Sequence, residues 1–245
     1  MSLVRLNKFL AEAGFGSRRK VETLITEGKV FVNGNAVTDL STKIAPEKDK
    51  VTVNGKPVKP EAEKIYLLMN KPRNYVVTRQ DEYGRKTIYS LLPDFAQNCV
   101  SAGRLDKDTE GLLLITNDGD VVQALTHPSQ KVEKTYRAAI DKPLTKQELE
   151  QLRKGVMIEG YKTQSAGVYI KSNKPGETVL KIVITEGKKR QIRLMLEAVQ
   201  HNVISLKRIQ IGELKLDKLP TGMWRPCSPQ EIRYLQSLKK LRSKE

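Results

Sequence analysis

The chain is poor in the residues that bind metals and cross-link polypeptides. Its two cysteines, Cys99 and Cys227, stand far apart and form no CxxC pair, which excludes a disulfide framework and a cysteine-based zinc site. Two histidines, His127 and His201, are too few for a histidine-rich metal centre. No stretch approaches the roughly 20 apolar residues that a membrane-spanning helix needs, and the amphipathic start MSLVRLNKFLAEAG lacks a continuous apolar core. Glycine-rich loops of the phosphate-cradling kind are missing as well. Chemistry must then come from carboxylates, tyrosine, lysine and arginine. The expectation is a soluble, cytoplasmic protein of a reducing compartment, with no membrane contact, no metal and no cofactor.

Acidic residues are also in the minority, 28 Asp and Glu against 44 Lys and Arg, giving a formal net charge of +16. Such an imbalance points to a polyanionic partner, a nucleic acid foremost. A generally cationic surface is the plainer alternative. What is present is enough for real cores, since 38% of 245 residues are apolar.

Leu3, Leu6, Leu10 and Ala13 recur at helical spacing and Gly14 stops them; a second helix starts at Ser17, buries Val21, Leu24 and Ile25, and ends at Gly28. Its first turn carries Arg18, Arg19 and Lys20. Cations there oppose the helix macrodipole, so local stability does not explain them, whereas phosphate contact does. VFVNG (30–34) and VTVNG (51–55) are short alternating strands running into Asn-Gly, a strong hairpin signal. These elements make a small domain over residues 1–60 with 11 Lys and Arg against 6 Asp and Glu. KPVKPEAEK (56–64) reads as a linker.

In residues 61–245 strands dominate: 64–70, 112–116, 134–140 and 178–185 are candidates, the last apolar enough to be buried on both faces. Thr145 with Glu148, and Ser228 with Glu231 around Pro229, are capping boxes that open helices. A further helix is expected over 187–200, burying Ile192, Met195, Leu196 and Val199, and KKLRSKE at the end reads as a solvated basic tail. The fold class is α+β: a small, basic α/β domain, then a larger domain on a mixed, mostly antiparallel sheet with flanking helices.

GRLDKDTEGLLLITNDGD (103–120) sets Asp106, Asp108 and Glu110 ahead of an apolar run. These match the first positions of a calcium loop, but position twelve is Asn117 instead of the bidentate Glu that loop needs. A solvated turn before a buried strand is the bland reading. In the other, alternation in an extended segment lets Arg104 and Asp106 share one cleft while Leu105 anchors the opposite side. A carboxylate among cations stays ionised and can act as nucleophile or base.

The same stretch resembles the catalytic signature of the pseudouridine synthases, in the branch that modifies ribosomal RNA and includes the small-subunit synthase A and the large-subunit synthases B and F. The resemblance runs through most of the chain: LLMNKPRNYVVT (67–78), VEKTYRA (132–138), EGKKRQIRLML (186–196), ISLKRIQIG (204–212) and LPTGMWRPCSPQE (219–231) are similar to the family's other motifs. SRRKVETLITEGKVFVNG resembles the core of a small ribosomal-protein-like (S4-like) RNA-binding domain. The block at 187–193 departs from the family's frequent GRNRQVRR, with Lys188 for an arginine and Leu194 after the QIR.

The resemblance implies a uridine-to-pseudouridine isomerase without cofactor, with Asp106 as catalytic aspartate, Tyr136 stacked on the target base and Arg193 paired with the aspartate. It further implies Leu206 closing the pocket, Arg104 displacing the base, and Lys71 and Arg190 contacting substrate. Arg18, Arg19, Lys20 and Asn33 would bind RNA. The implied partner is ribosomal RNA or a ribosomal precursor particle, large-subunit RNA before small-subunit RNA, met by a monomer. The competing reading is a non-catalytic ribosome-assembly factor, which explains the charge but not Asp, Tyr and Arg in the family's order.

Overall fold

The computed structural model describes residues 3–59 and 63–242. Contacts divide the chain into two compact units, Met1–Ile65 with Asn117–Gly119, and Tyr66–Thr116 with Asp120–Glu245.

The first unit runs β1 (Val4–Arg5), α1 (Leu6–Glu12), α2 (Arg18–Thr26), β2 (Val30–Val32), β3 (Asn35–Ala36), β4 (Lys43–Ile44), β5 (Val51–Val53) and β6 (Lys56–Pro57). Helix α1 starts three residues later than the apolar spacing predicts, because Val4 and Arg5 pair with Ile44 and Lys43, leaving Leu3 exposed. Helix α2 begins where expected: Ser17 Oγ accepts the Lys20 amide at 3.3 Å. The four-stranded sheet, ordered β3-β2-β5-β6, turns at Asn33-Gly34 and Asn54-Gly55, all four with positive φ. Leu6, Leu10, Val21, Ile25 and Val30 fill its core. The linker reading of 56–64 is corrected at its start. Lys56 and Pro57 pair with Val53 and Thr52, on an edge strand where proline is tolerated, and Val58 closes the core. Residues 60–62 of that stretch lie outside the described residues.

The second unit runs β7 (Tyr66–Lys71), β8 (Val100–Ser101), β9 (Glu110–Thr116), α3 (Gly119–Thr126), β10 (Lys134–Ile140) and α4 (Lys146–Lys154). After these come β11 (Met157–Ile158), β12 (Tyr161–Lys162), β13 (Gly167–Lys174), β14 (Glu177–Ile184) and α5 (Gln191–Ala198). It ends with β15 (Val203–Ile211), β16 (Leu214–Lys215), β17 (Trp224–Pro226) and α6 (Pro229–Arg242). The main sheet is ordered β13-β14-β10-β15-β9-β7-β17, antiparallel throughout except for the parallel pair β15–β9. Leu112 to Ile115 of β9 are wholly buried on both sides. Leu68, Leu112 and Leu114 meet Val121, Ala124 and Leu125 of α3 and Leu235 and Leu238 of α6 in one cluster.

Both capping boxes form. Thr145 and Glu148 exchange the two bonds at α4, and Ser228 and Glu231 do so at α6, at 2.7 and 3.3 Å. Two expectations change. The helix expected over 187–200 spans only Gln191–Ala198, because Arg190 adopts a left-handed backbone (φ 52°) that no helix continues through. Ile192, Met195, Leu196 and Val199 are buried as expected. The expected basic tail is helical as far as Arg242.

Register fixes two faces. Ile182, Tyr136, Arg208, Gly111 and Lys71 are successive cross-strand partners from β14 to β7 and so lie on one face. The adjacent row, Lys181, Arg137, Lys207 and Glu110, lies on the other.

Candidate active site

Four consecutive backbone carbonyls define the acidic loop. Asp106 O accepts the Thr109 amide at 3.1 Å, and Lys107 O accepts the Asn74 amide at 2.7 Å and Lys71 Nζ at 3.3 Å. Asp108 O accepts Arg73 Nε at 3.3 Å and Arg193 Nη2 at 3.1 Å, and Thr109 O accepts Lys71 Nζ at 2.8 Å. Below them Leu105 is buried as the anchor the alternation predicts, while Arg104 is exposed. The loop then enters β9, whose second residue, Gly111, has a φ of +110° that excludes other residues without strain. A Cβ there would stand 2.2 Å from Arg208 O, so β15 can approach β9 only because this residue is glycine.

The three carboxylates have different fates. Asp108 Oδ2 lies 3.2 Å from Arg193 Nε and 3.6 Å from Arg190 Nη1, and Glu110 reaches Arg73 at 3.9 Å. The Arg193 contact is an ion pair without hydrogen-bond alignment, since Nε finds no acceptor in line. Asp106 is half-buried and its carboxylate has neither hydrogen bond nor ion pair among the described residues, yet its charge acts on both Lys71 and Arg193. The pairing implied for Arg193 is therefore corrected: its carboxylate partner is Asp108, because α5 meets the turn two residues beyond Asp106.

Lys71 is corrected too. Its side chain is 0% exposed and its ammonium is spent on the carbonyls of Pro72, Lys107 and Thr109, so it has no surface to offer a substrate. It is a positioning residue under the loop. Burial pushes its pKa down to about 8, against the pull of Asp108, Asp106 and Glu110. Burial likewise lowers the pKa of Arg193, opposed chiefly by Asp108.

Tyr136 lies on β10, buried, directly across from Arg208, and Leu206 sits opposite Ala138 on the same face. Arg208 is in turn beside Gly111. Tyr136 is thus two strands from the end of the acidic loop, about 10 Å at ordinary strand spacing. Arg190 caps α5 and is half-exposed above Asp108.

Sequence reasoning missed Asp108 as a partner, Arg73 and Arg208. Arg208 had a signal. Lys207-Arg208 in the middle of an alternating strand must turn one cation inward, and the inward one, 5% exposed, donates from Nε to Leu112 O at 2.8 Å.

In the first unit Arg18, Arg19 and Lys20 are exposed on the first turn of α2, with no acidic residue in that turn. Arg18 leans on Asn7 Oδ1 at 3.3 Å. Asn33 is exposed at the β2 turn; its Nδ2 donates to Asp49 Oδ1 and its Oδ1 accepts the Lys50 amide, both at 2.8 Å, which closes the β2–β5 connection.

Residues 65–198 match the family model of RNA pseudouridylate synthase, and residues 4–49 match the S4 domain. The chain belongs to the RNA pseudouridylate synthase family, and is an isomerase that acts on RNA. Among relatives, it is 42% identical to the ribosomal large subunit pseudouridine synthase B of Bacillus subtilis, over 96% of both chains. It is also 42% identical to an uncharacterized RNA pseudouridine synthase of Aquifex aeolicus, over 96% of this chain and 94% of that one. A crystal structure of a pseudouridylate synthase superposes with a TM-score of 0.69 at 31% identity, over 95% of this chain and 99% of the other.

Proposed function

We propose that this enzyme converts a uridine of large-subunit ribosomal RNA to pseudouridine, with Asp106 as the carboxylate that meets the nucleoside. The observation that carries the role of Asp106 is its free state. Of the three acids on the loop, it alone has no cation bonded to it, while the backbone beneath it is fastened at every carbonyl. The choice of RNA is supported by the 42% identity, over both chain lengths, to a protein named for the large subunit.

In the reaction the N1–C1′ bond breaks, the uracil turns while held, and C5 bonds to C1′. The proton on C5 leaves and N1 gains one, so the composition of the RNA is unchanged. A base in folded RNA must first be turned out, at a cost of a few kcal/mol that binding elsewhere offsets. Arg104, exposed beside the loop, is suited to displacing it. Tyr136 supports the ring and assists proton transfer at C5, and Leu206, on the same sheet face, supplies an apolar wall. Arg193 acts through Asp108, and Arg190, half-exposed beside Asp108, contacts the substrate. Arg18, Arg19 and Lys20, exposed on the first unit, hold phosphates.

The test compares wild type with Asp106→Asn on transcripts of large- and small-subunit ribosomal RNA, mapping pseudouridines by position. Wild type should modify the large-subunit transcript; the variant should bind it equally and form none. Modification by Asp106→Asn at the wild-type rate would end the assignment of this residue, and modification of the small-subunit transcript alone would end the choice of RNA.

A further inference from the structure

The sheet face opposite Tyr136 carries an arrangement that folding alone does not favour. Lys181 on β14 is the direct cross-strand partner of Arg137 on β10, and Arg137 is the direct partner of Lys207 on β15. Directly opposed residues in antiparallel strands have Cα atoms about 4.5–5.5 Å apart, and like charges so placed repel. No carboxylate lies within ion-pair distance of any of the three among the described residues, and Glu110 at the end of the row on β9 pairs with Arg73 instead. The same-face neighbours along the strands are neutral: Thr135 and Ala139, Val179 and Val183, and Ser205. Helices α3 and α6 cover this face over β7 and β9, but Arg137 is exposed and Lys181 and Lys207 are partly so. At the far end Tyr169 of β13, 50% exposed, lies opposite Lys181, whose Nζ stands 5.9 Å from the ring centroid.

We infer that this row is a second RNA-holding surface, which grips the phosphate backbone of the substrate on the side of the sheet away from the active site. The inference rests on the reading of the chain as an RNA-modifying enzyme and extends it to where the rest of the RNA runs. Three cations across β14, β10 and β15 span about 10 Å at ordinary strand spacing, room for two to three phosphates of an extended strand. Tyr169 offers a ring at the end of the row, where an unpaired base can stack. An anionic chain over the row removes the mutual repulsion of the cations, so their contribution to binding is larger than that of three scattered lysines. Consecutive residues of one strand serve both surfaces, Tyr136 the active site and Arg137 the row.

The test is a triple variant, Lys181→Gln, Arg137→Gln and Lys207→Gln, against a control that removes the same charge from exposed lysines elsewhere, Lys142→Gln, Lys146→Gln and Lys218→Gln. Binding of a large-subunit ribosomal RNA transcript is measured from low to moderate salt. Each lost phosphate contact should flatten the log–log salt slope by about 0.7–0.9, so the row variant should lose about 2–3 from the slope and, at 0.1 M salt, on the order of a hundredfold in affinity. The control should stay near wild type. The melting temperature of the row variant should equal or exceed that of wild type, because repulsion has been removed. A charge-preserving variant, Lys181→Arg, Arg137→Lys and Lys207→Arg, should restore the slope. Equal slopes in row variant, control and wild type, or equal losses in both variants, overturn the inference. Pseudouridine formation by the wild-type chain judges the enzymatic reading separately, so one can fail while the other stands.

Discussion

Arg193 holds Asp108 in two ways, by an ion pair with its side chain, Nε 3.2 Å from Oδ2, and by a hydrogen bond to its main chain, Nη2 to O at 3.1 Å. One guanidinium thus sets both the carboxylate and the backbone of the turn that presents Asp106. Charge alone does not reproduce this, because an ammonium has no rigid fork with which to hold two acceptors at fixed positions.

Arg193→Lys should therefore keep the positive charge and lose the orientation. The expected result is a fall in kcat of about tenfold to a hundredfold, the scale that small misplacements of a reacting group produce. KM should change little. Single-turnover pseudouridine assays on the RNA transcript separate the two, and an unchanged kcat would show that the turn keeps its shape without the fork.

Lys71 gives the site an alkaline limit. With a folded-state pKa of about 8 and an unfolded value near 10.4, the folded chain releases this proton first. From about pH 8 to 10.4 the unfolded chain holds the extra proton, so the lysine's contribution to stability rises with pH across that window, and below it the burial penalty is present in full. Activity should run the other way. The neutral amine has only two hydrogens for three carbonyls, and the rate should fall as pH passes about 8. Lys71→Met should be weakly active at every pH and lack both the alkaline fall and the stability slope, as read by urea titrations from pH 7 to 10.

Gly111→Ala tests the approach of β15 to β9. With a Cβ 2.2 Å from Arg208 O and a φ of +110°, the substitution should cost about 3 kcal/mol or more. Gly119→Ala is the control. It opens α3, meets nothing within 4 Å, and should be neutral or stabilising by about 0.4–1 kcal/mol. Urea denaturation of both variants measures the difference.

Replacing Arg18, Arg19 and Lys20 together by glutamine should leave the first unit as stable as before or a few tenths of a kcal/mol more stable, since three cations leave a helix N-terminus. Binding to ribosomal RNA should weaken and its salt slope flatten by about 2–3. A drop in melting temperature would instead give those residues a structural role.

Features with a local cause are legible in the sequence. Asn-Gly at 33–34 and 54–55, the Ser17 cap and the Thr145–Glu148 box each depend on a few neighbouring residues, and each forms. The leucine run of β9 and the apolar stripe of α5 were equally legible. Strands β13 and β15 were not, because their alternation is masked by charged residues whose placement depends on partners distant in sequence. Val4–Arg5 and Lys56–Pro57 went to strands for the same reason, since pairing with β4 and β5 outweighed local preference. In the site, motif order located the acidic loop and its arginine. It could not tell which of Asp106 and Asp108 takes the arginine, because that follows from the turn at 106–109 and from the start of α5 at Gln191.

Strand β10 turns neighbouring residues to opposite faces, Tyr136 buried and Arg137 exposed, and a register irregularity lies between Thr135 and Tyr136 at its pairing with β15. A slip by one position would carry the aromatic ring out into solvent and drive a guanidinium into the pocket, exchanging the two sides of the sheet at a stroke. Single-residue insertions or deletions between Lys134 and Ile140 are accordingly the changes this enzyme can least accommodate, more damaging than most point replacements in its interior.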